Sequence, residues 1–158
     1  MMKRHRNGSK SRRRAIQPWT HEQAVQALPY IRSITASLRE HYLEARFHKR
    51  RANQLADKPR CQRDELIALE EATRAAQRAQ QQFDDTLDEL HCLDVYLLDP
   101  LRGLAFIPFV HTDQLAWFLF DLFDSQPLRY WRYHEDTLDT RRPIAEIGQE
   151  PLSESRII

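Results

Sequence analysis

The chain has 158 residues, 30% of them charged, and only 3 glycines, which is the size and composition of one helix-rich domain with its own core. No apolar run approaches the roughly 20 residues of a membrane span, and the basic N-terminus has no apolar stretch behind it, which excludes a secretory signal. A net charge of +1 conceals an asymmetry: Lys3, Arg4, Arg6, Lys10, Arg12, Arg13 and Arg14 all precede the first acid, Glu22, leaving 17 basic and 23 acidic side chains beyond them.

Residues 1–18 are charged, contain Gly8 and Ser9, and have little to bury, so they read as a disordered basic arm. Such an arm, with Arg12, Arg13 and Arg14 at its end, suits a polyanion such as RNA; it equally suits a solubilising tail or a strap onto the acidic body. A domain over 19–144 follows. Thr20 with Gln23 three residues on forms a capping box, which starts a helix. Pro29 then falls inside the periodic stretch. A proline lacks the N–H and crowds the preceding turn, so the expectation is a short helix to Leu28, a break, and a long helix over 29–56.

That long helix and a second, over about 60–91, form the centre of the sequence. Leu28, Ile31, Thr35, Leu38, Tyr42, Ala45, Lys49 and Ala52 alternate steps of three and four. Leu66, Leu69, Thr73, Ala76, Gln80, Phe83, Leu87 and Leu90 do the same, and Asp57-Lys58-Pro59 between them is a turn signal. Folded antiparallel as a coiled-coil-like hairpin over 20–91, the lists pair Tyr42 with Ala76 and Thr35 with Phe83. Cys61 then lies at the tip and Cys92 at the base, roughly 46 Å apart, out of disulfide reach. Free thiols fit a reducing, cytoplasmic setting. The tip is basic: Lys49, Arg50, Arg51 and Arg60 lead a set that could track a phosphate backbone, or stand merely solvated.

After Leu90 the period changes. Short apolar runs at 93–98, 104–110, 115–123 and 128–134 are separated by turns, an antiparallel β-meander over 93–134. Pro108 should place its strand at an edge or end it there. The run over 115–123 is apolar on both faces, so both faces should be covered. Residues 145–158 have little to bury and read as a loose tail. The fold class is therefore α+β, a long antiparallel helical hairpin with a small sheet of three to four strands. Apolar residues off the hairpin seam, among them Ile34, Tyr30, Phe47 and Ile67, should meet the sheet or a second copy, and a homodimer is expected.

The order of these elements resembles the prokaryotic family known as domain of unknown function 2203, over residues 19–144. The likeness rests on Glu22, Ala24 and Leu28-Pro29 in the first helix, on Gly103 and Phe106, on the Trp-bearing strand at 115–119, and on Trp131 followed by Arg141-Arg142-Pro143-Ile144. The chain departs from it at Arg132, where the family shows His, and at Thr137, Leu138 and Thr140, where it shows Gly-Phe and a second Gly. The resemblance implies the fold and carries no activity with it.

The chemistry-bearing candidates are the aromatic-basic cluster of Trp117, Trp131, His134, Arg141 and Arg142. His134 beside Glu135 could do acid–base work, and the arginines could clamp a carboxylate or phosphate. Aromatics at strand spacing are more often core, and that reading weighs more. His134-Glu135-Asp136 has no further ligands at zinc-like spacing, and no P-loop, dinucleotide fingerprint or nucleophile elbow is present, so neither metal nor cofactor is expected. The sequence points to a non-catalytic interaction protein, an adaptor with a hairpin arm whose partner could be RNA, a ribonucleoprotein or another protein. The alternative is a small ligand-binding protein or enzyme with its site at the cluster.

Overall fold

Two long helices lie side by side on one face of a five-stranded antiparallel sheet, in a computed structural model that describes residues 15–58 and 62–147. Helix α1 spans His21–Ala56 and α2 spans Arg63–Cys92. The strands are β1 (Tyr96–Asp99), β2 (Leu104–His111), β3 (Gln114–Asp121), β4 (Tyr130–Tyr133) and β5 (Arg142–Pro143), in the spatial order of the chain. The fifth strand exceeds the expected three to four. It is a two-residue addition that pairs Trp131 with Arg142 and Tyr130 with Pro143, too short to leave an apolar run in the sequence. The described part of the expected tail, residues 145–147, completes a 3-10 turn with Ile144, and residues 148–158 lie outside the described residues.

The capping box starts α1 as read: Gln23 N–H donates to Thr20 Oγ1 at 3.1 Å, and Thr20 N–H donates back to Gln23 Oε1 at 3.0 Å. The expected break at Pro29 does not occur, and α1 is one helix of 36 residues. The ring is exposed, while Ala24 and Ile31 on either side are fully buried. Both flanking turns are thus anchored in the core, and that anchoring outweighs the one hydrogen bond the proline forfeits.

At about 54 Å, α1 is twice as long as the eight-residue strands, at about 27 Å. Its N-terminal half lies on the sheet. There Ala24, Ile31, Ile34 and Leu38 meet Ala105, Ile107, Phe118 and Phe120 in the main core. The last links to the sheet come from Arg39, which donates to the Leu101 carbonyl at 3.0 Å and lies over the Phe123 ring at 5.1 Å. Among the described residues, no hydrogen bond, ion pair or ring contact joins the α1 residues after Arg39 to the sheet. The rest of the hairpin is an arm.

Within the hairpin the return face of α2 differs from the expected one. Ala72 and Ala79 are buried, whereas Thr73 and Gln80 are exposed, as are Lys49 and Leu66 near the tip. Four alanines, at 72, 75, 76 and 79, line the contact and let the backbones approach. Tyr42 meets Phe83, with ring centroids 6.2 Å apart. Helix side chains lean toward their own N-terminus, so two long ones in an antiparallel pair reach toward each other across about two turns.

Helix α2 ends in a Schellman motif built on an aspartate. Asp94 takes the left-handed conformation at φ 59, Asp94 N–H donates to His91 O at 2.9 Å, and Val95 N–H donates to Leu90 O at 3.4 Å. The Asp94 carboxylate also accepts from Gln17 N–H at 3.0 Å, while the Trp19 indole N–H donates to Leu93 O. Residues 15–18 are therefore strapped to the body, with Ile16 packed on the outer face of the sheet, and are not part of a loose arm. The remainder of that arm, residues 1–14, lies outside the described residues.

Pro108 sits in β2 beyond Phe106, the last residue that β1 reaches on that side. Its carbonyl accepts from Trp19 N–H at 2.7 Å, so the missing N–H also points away from β3 and the β2–β3 ladder loses nothing. Strand β3 is covered on both faces as expected, with Ala116, Phe118 and Phe120 toward the helices and Trp117 and Leu119 on the outer face with Phe106.

Candidate functional site

The sheet separates the aromatic-basic cluster into two groups, because alternate residues of a strand face opposite ways. Trp117 is on the outer face, and its indole N–H donates to His134 Nδ1 at 3.1 Å. That bond places the proton of the neutral His134 ring on Nε2 and occupies the nitrogen a general base at this position would share. Trp131 is on the helix-side face, 3% exposed, and donates to the Pro143 carbonyl. Opposite it stands Arg142, whose guanidinium lies over the Tyr133 ring at 4.9 Å and over Trp131 at 5.5 Å. Arg142 grips Asp136 through two bonds of 2.8 and 3.0 Å, which hold the Asp136 carboxyl below the usual carboxylate range. The five predicted residues do not line one pocket, and Arg142 is engaged in a lock that ties β5 to the turn after β4.

Sequence reasoning passed over Arg132. It is 7% exposed, lies over Phe106 at 4.7 Å, and donates through one terminal nitrogen to the carbonyls of Tyr133, His134 and Asp136. Burial lowers its pKa, partly offset by nearby Asp136. A lone charge between two aromatic residues gave no sign that it would be drawn in to close a turn.

Arg141 stands apart from the other four. It is exposed, donates to the carbonyls of Leu138 and Thr140, and lies at the rim of an open cleft of about 480 Å³. Leu104, Leu119 and Tyr130 line that cleft, with Arg102 and Asp121 also at it.

Three basic residues of the arm, Arg46, Lys49 and Arg50, share one groove. The flank of α1 on which Ile31, Thr35 and Leu38 are buried continues past the sheet as Tyr42, Arg46, Lys49, Arg50 and Asn53. These line an open groove of about 450 Å³, together with Asp57 at its far end. Arg46 is held against Tyr42, donating to its hydroxyl at 3.1 Å with the guanidinium 5.5 Å from the ring centre. Lys49 and Arg50 are exposed and make no ion pair or hydrogen bond among the described residues. Arg51 turns to the opposite side, toward Glu71 and Ala75 of α2. Arg12, Arg13, Arg14 and Arg60 lie outside the described residues.

The family model described as "Uncharacterized conserved protein (DUF2203)" matches residues 17–144, which include both helices and all five strands. The chain belongs to the DUF2203 family. No curated protein and no solved structure matches it. The DUF2203 match begins at Gln17, the residue bonded to Asp94, and ends at Ile144, whose N–H donates to Arg129 O beside β5. The N-terminal strap and the fifth strand thus fall inside the DUF2203 domain. Among its described residues, no three His, Cys, Asp or Glu side chains are grouped to hold a metal, and no helix is long and apolar enough to cross a membrane.

Proposed function

We propose that this DUF2203 protein is a cytoplasmic, non-catalytic interaction protein that offers its hairpin arm to an RNA backbone, free or within a ribonucleoprotein. One observation carries the reading: Tyr42, Arg46, Lys49, Arg50 and Asn53 share one open groove, and the cations Lys49 and Arg50 have no acidic partner there among the described residues. Cations solvated on a helix and left unpaired release counterions when they meet phosphates, which gives affinity without sequence preference. Tyr42 adds an aromatic face on which a base can stack. The groove begins where the sheet ends, so a strand laid in it meets the arm without the sheet beneath.

The test is a salt titration of binding to a structured RNA, read by fluorescence anisotropy. The double substitution K49E/R50E alters exposed side chains and should leave the fold intact. With two fewer phosphates neutralised, the log–log salt slope should flatten by about 1.4 to 1.8. Absence of binding at low salt, or an unchanged slope in the variant, ends the proposal.

A second reading concerns the cleft at Arg141. Its apolar floor of Leu104, Leu119 and Tyr130, with Arg102 and Arg141 about it, suits an aromatic or aliphatic carboxylate. Protection of Tyr130 ring signals by such acids, abolished in R141A, would support it.

A further inference from the structure

The cleft at Arg141 holds charges of both signs. Leu104 and Asp121 are paired across β2 and β3, and Leu119 and Tyr130 across β3 and β4. Leu119 and Tyr130 belong to the outer face of the sheet, and Asp121, two residues beyond Leu119, is turned to the same face. Asp121 thus stands about 7 Å along β3 from the apolar floor. Its Oδ1 accepts from Phe123 N–H at 3.0 Å, while its Oδ2 has no partner among the described residues. The cations are also largely uncommitted. Arg102 reaches Asp99 through Nε alone, at 3.9 Å, and Arg141 spends one terminal nitrogen on the Leu138 and Thr140 carbonyls. The other side-chain N–H groups of both arginines have no partner among the described residues.

A plain carboxylate seated here meets the arginines but leaves Asp121 beside a like charge, with Oδ2 covered and unpaired. An ammonium group on the same ligand removes both costs, because it gives Oδ2 a charge-assisted hydrogen bond. We infer that the cleft takes a zwitterion, an α-amino acid with an apolar side chain. Its carboxylate is met by Arg102 and Arg141, its ammonium group by Asp121 Oδ2, and its side chain by Leu104, Leu119 and Tyr130. The inference rests on the second reading above, that the cleft binds a carboxylate, and adds the ammonium group and the residue that meets it. A cleft of about 480 Å³ has room for such a ligand. Two cations against one carboxylate disfavour a ligand that carries the ammonium alone. A site that hydrogen-bonds a ligand N–H also discriminates against the analogue that lacks it, since its own polar group is then left unpaired.

The test is a titration of the full chain at neutral pH, read on the Tyr130 ring signals. The probes are phenylalanine, 3-phenylpropionate, which lacks the ammonium group, and phenethylamine, which lacks the carboxylate. Phenylalanine should bind about tenfold or more tightly than either. D121N keeps a carbonyl oxygen for Phe123 N–H, and a thermal melt checks its fold. It should weaken phenylalanine by about tenfold and leave 3-phenylpropionate as it was or tighter. R141A should weaken both acids alike. If 3-phenylpropionate binds as well as phenylalanine, or D121N weakens the two equally, the inference is overturned and the carboxylate reading stands. Phenethylamine binding as tightly as phenylalanine overturns it too. If neither acid moves the Tyr130 signals, the carboxylate reading fails and the inference falls with it.

Discussion

Substituting Gly103 by alanine should destabilise the fold more than any other single methyl addition in the β1–β2 turn. Gly103 has φ +66, where a side chain costs about 1–2 kcal/mol. Its added Cβ would also stand 2.6 Å from Leu122 Cβ and 2.9 Å from Leu122 Cδ2. The second clash could yield by a rotamer change. The first cannot, because a Cβ moves only with its backbone, and here the backbones are tied by the 3.0 Å bond from Leu122 N–H to Gly103 O. Overpacking of this kind costs about 1–3 kcal/mol, for a total of about 2–5 kcal/mol. In a chain of this length that lowers Tm by about 10 °C. The assay is a double-mutant cycle by thermal and urea unfolding, with G103A, L122G and the pair. L122G removes the atom that the methyl strikes, so G103A should cost less in that background, leaving the conformational part alone. If G103A melts within about 2 °C of the wild type, or costs the same in both backgrounds, the steric argument is wrong. The turn also carries the Leu101 carbonyl that Arg39 grips, so G103A should loosen the root of the arm, visible as faster amide exchange in α1 around Arg39.

Three further outcomes rest on other interactions. The β2–β3 hairpin turns on Thr112 and Asp113, with φ 49 and 61, a type I′ geometry that favours Asn-Gly. T112N/D113G should stabilise by about 1 kcal/mol after loss of the Thr112–Tyr133 hydroxyl bond, and an unchanged or lower urea midpoint would count against the strain. Asp124 and Asp136 are held below the ordinary carboxylate value of 3.8 by hydrogen bonds from Arg129 and Arg142, Asp124 to about 2. The folded chain therefore binds those protons more weakly than the unfolded one. Their stabilisation is complete above the unfolded value and lost as pH falls through the folded values. The gap in urea midpoint between wild type and D136N should close as pH drops from about 5 toward 2; a constant gap would show that Asp136 acts otherwise. R132M should cost about 1.5–3 kcal/mol, since three carbonyls lose a charged donor, and a neutral result in urea would assign the turn's stability elsewhere.

The hairpin and the meander were legible because each rests on a period that backbone geometry imposes. What went astray in α2 did so by one residue. A strict heptad places Thr73 and Gln80 on the seam with Leu87 and Leu90. An α-helix of 3.6 residues per turn drifts about 20° per heptad from that repeat, and over three heptads the drift of about 60° exceeds half of the roughly 100° between successive residues, so the neighbouring residue faces the seam better. The seam accordingly passes to Ala79 and Ala72, whose small side chains made them look like mere helix formers. Pro29 misled for a different reason. Its local cost is fixed by chemistry, but whether a helix bears that cost depends on how firmly the turns beside it are held, and Ala24 and Ile31 are held by strands about 80 residues away in sequence. The Asp94 Schellman motif was hidden likewise, because an aspartate in that role is chosen partly by its tertiary partner, Gln17.

For the candidate site the misleading and the useful signals have the same origin. Trp117, Trp131, His134 and Arg142 are close in sequence, but a strand turns neighbours to opposite faces, and a cluster on paper became two packing groups. Along α1 the same rule of facing helps. The flank reading Ile31, Thr35 and Leu38 changes character at Tyr42 and continues as Arg46, Lys49, Arg50 and Asn53. A helix flank can change from apolar to cationic without changing period only if the layer beneath it stops there, since buried and unpaired cations would cost several kcal/mol each. The position of that change, one turn beyond Leu38, is therefore a measurement from sequence of where the sheet ends, and Arg39 at the Leu101 carbonyl stands at that boundary. The same step that frees the arm from the sheet leaves its cations Lys49 and Arg50 without ion-pair partners among the described residues, and this is why the function proposed above rests on the groove and not on the tryptophan cluster.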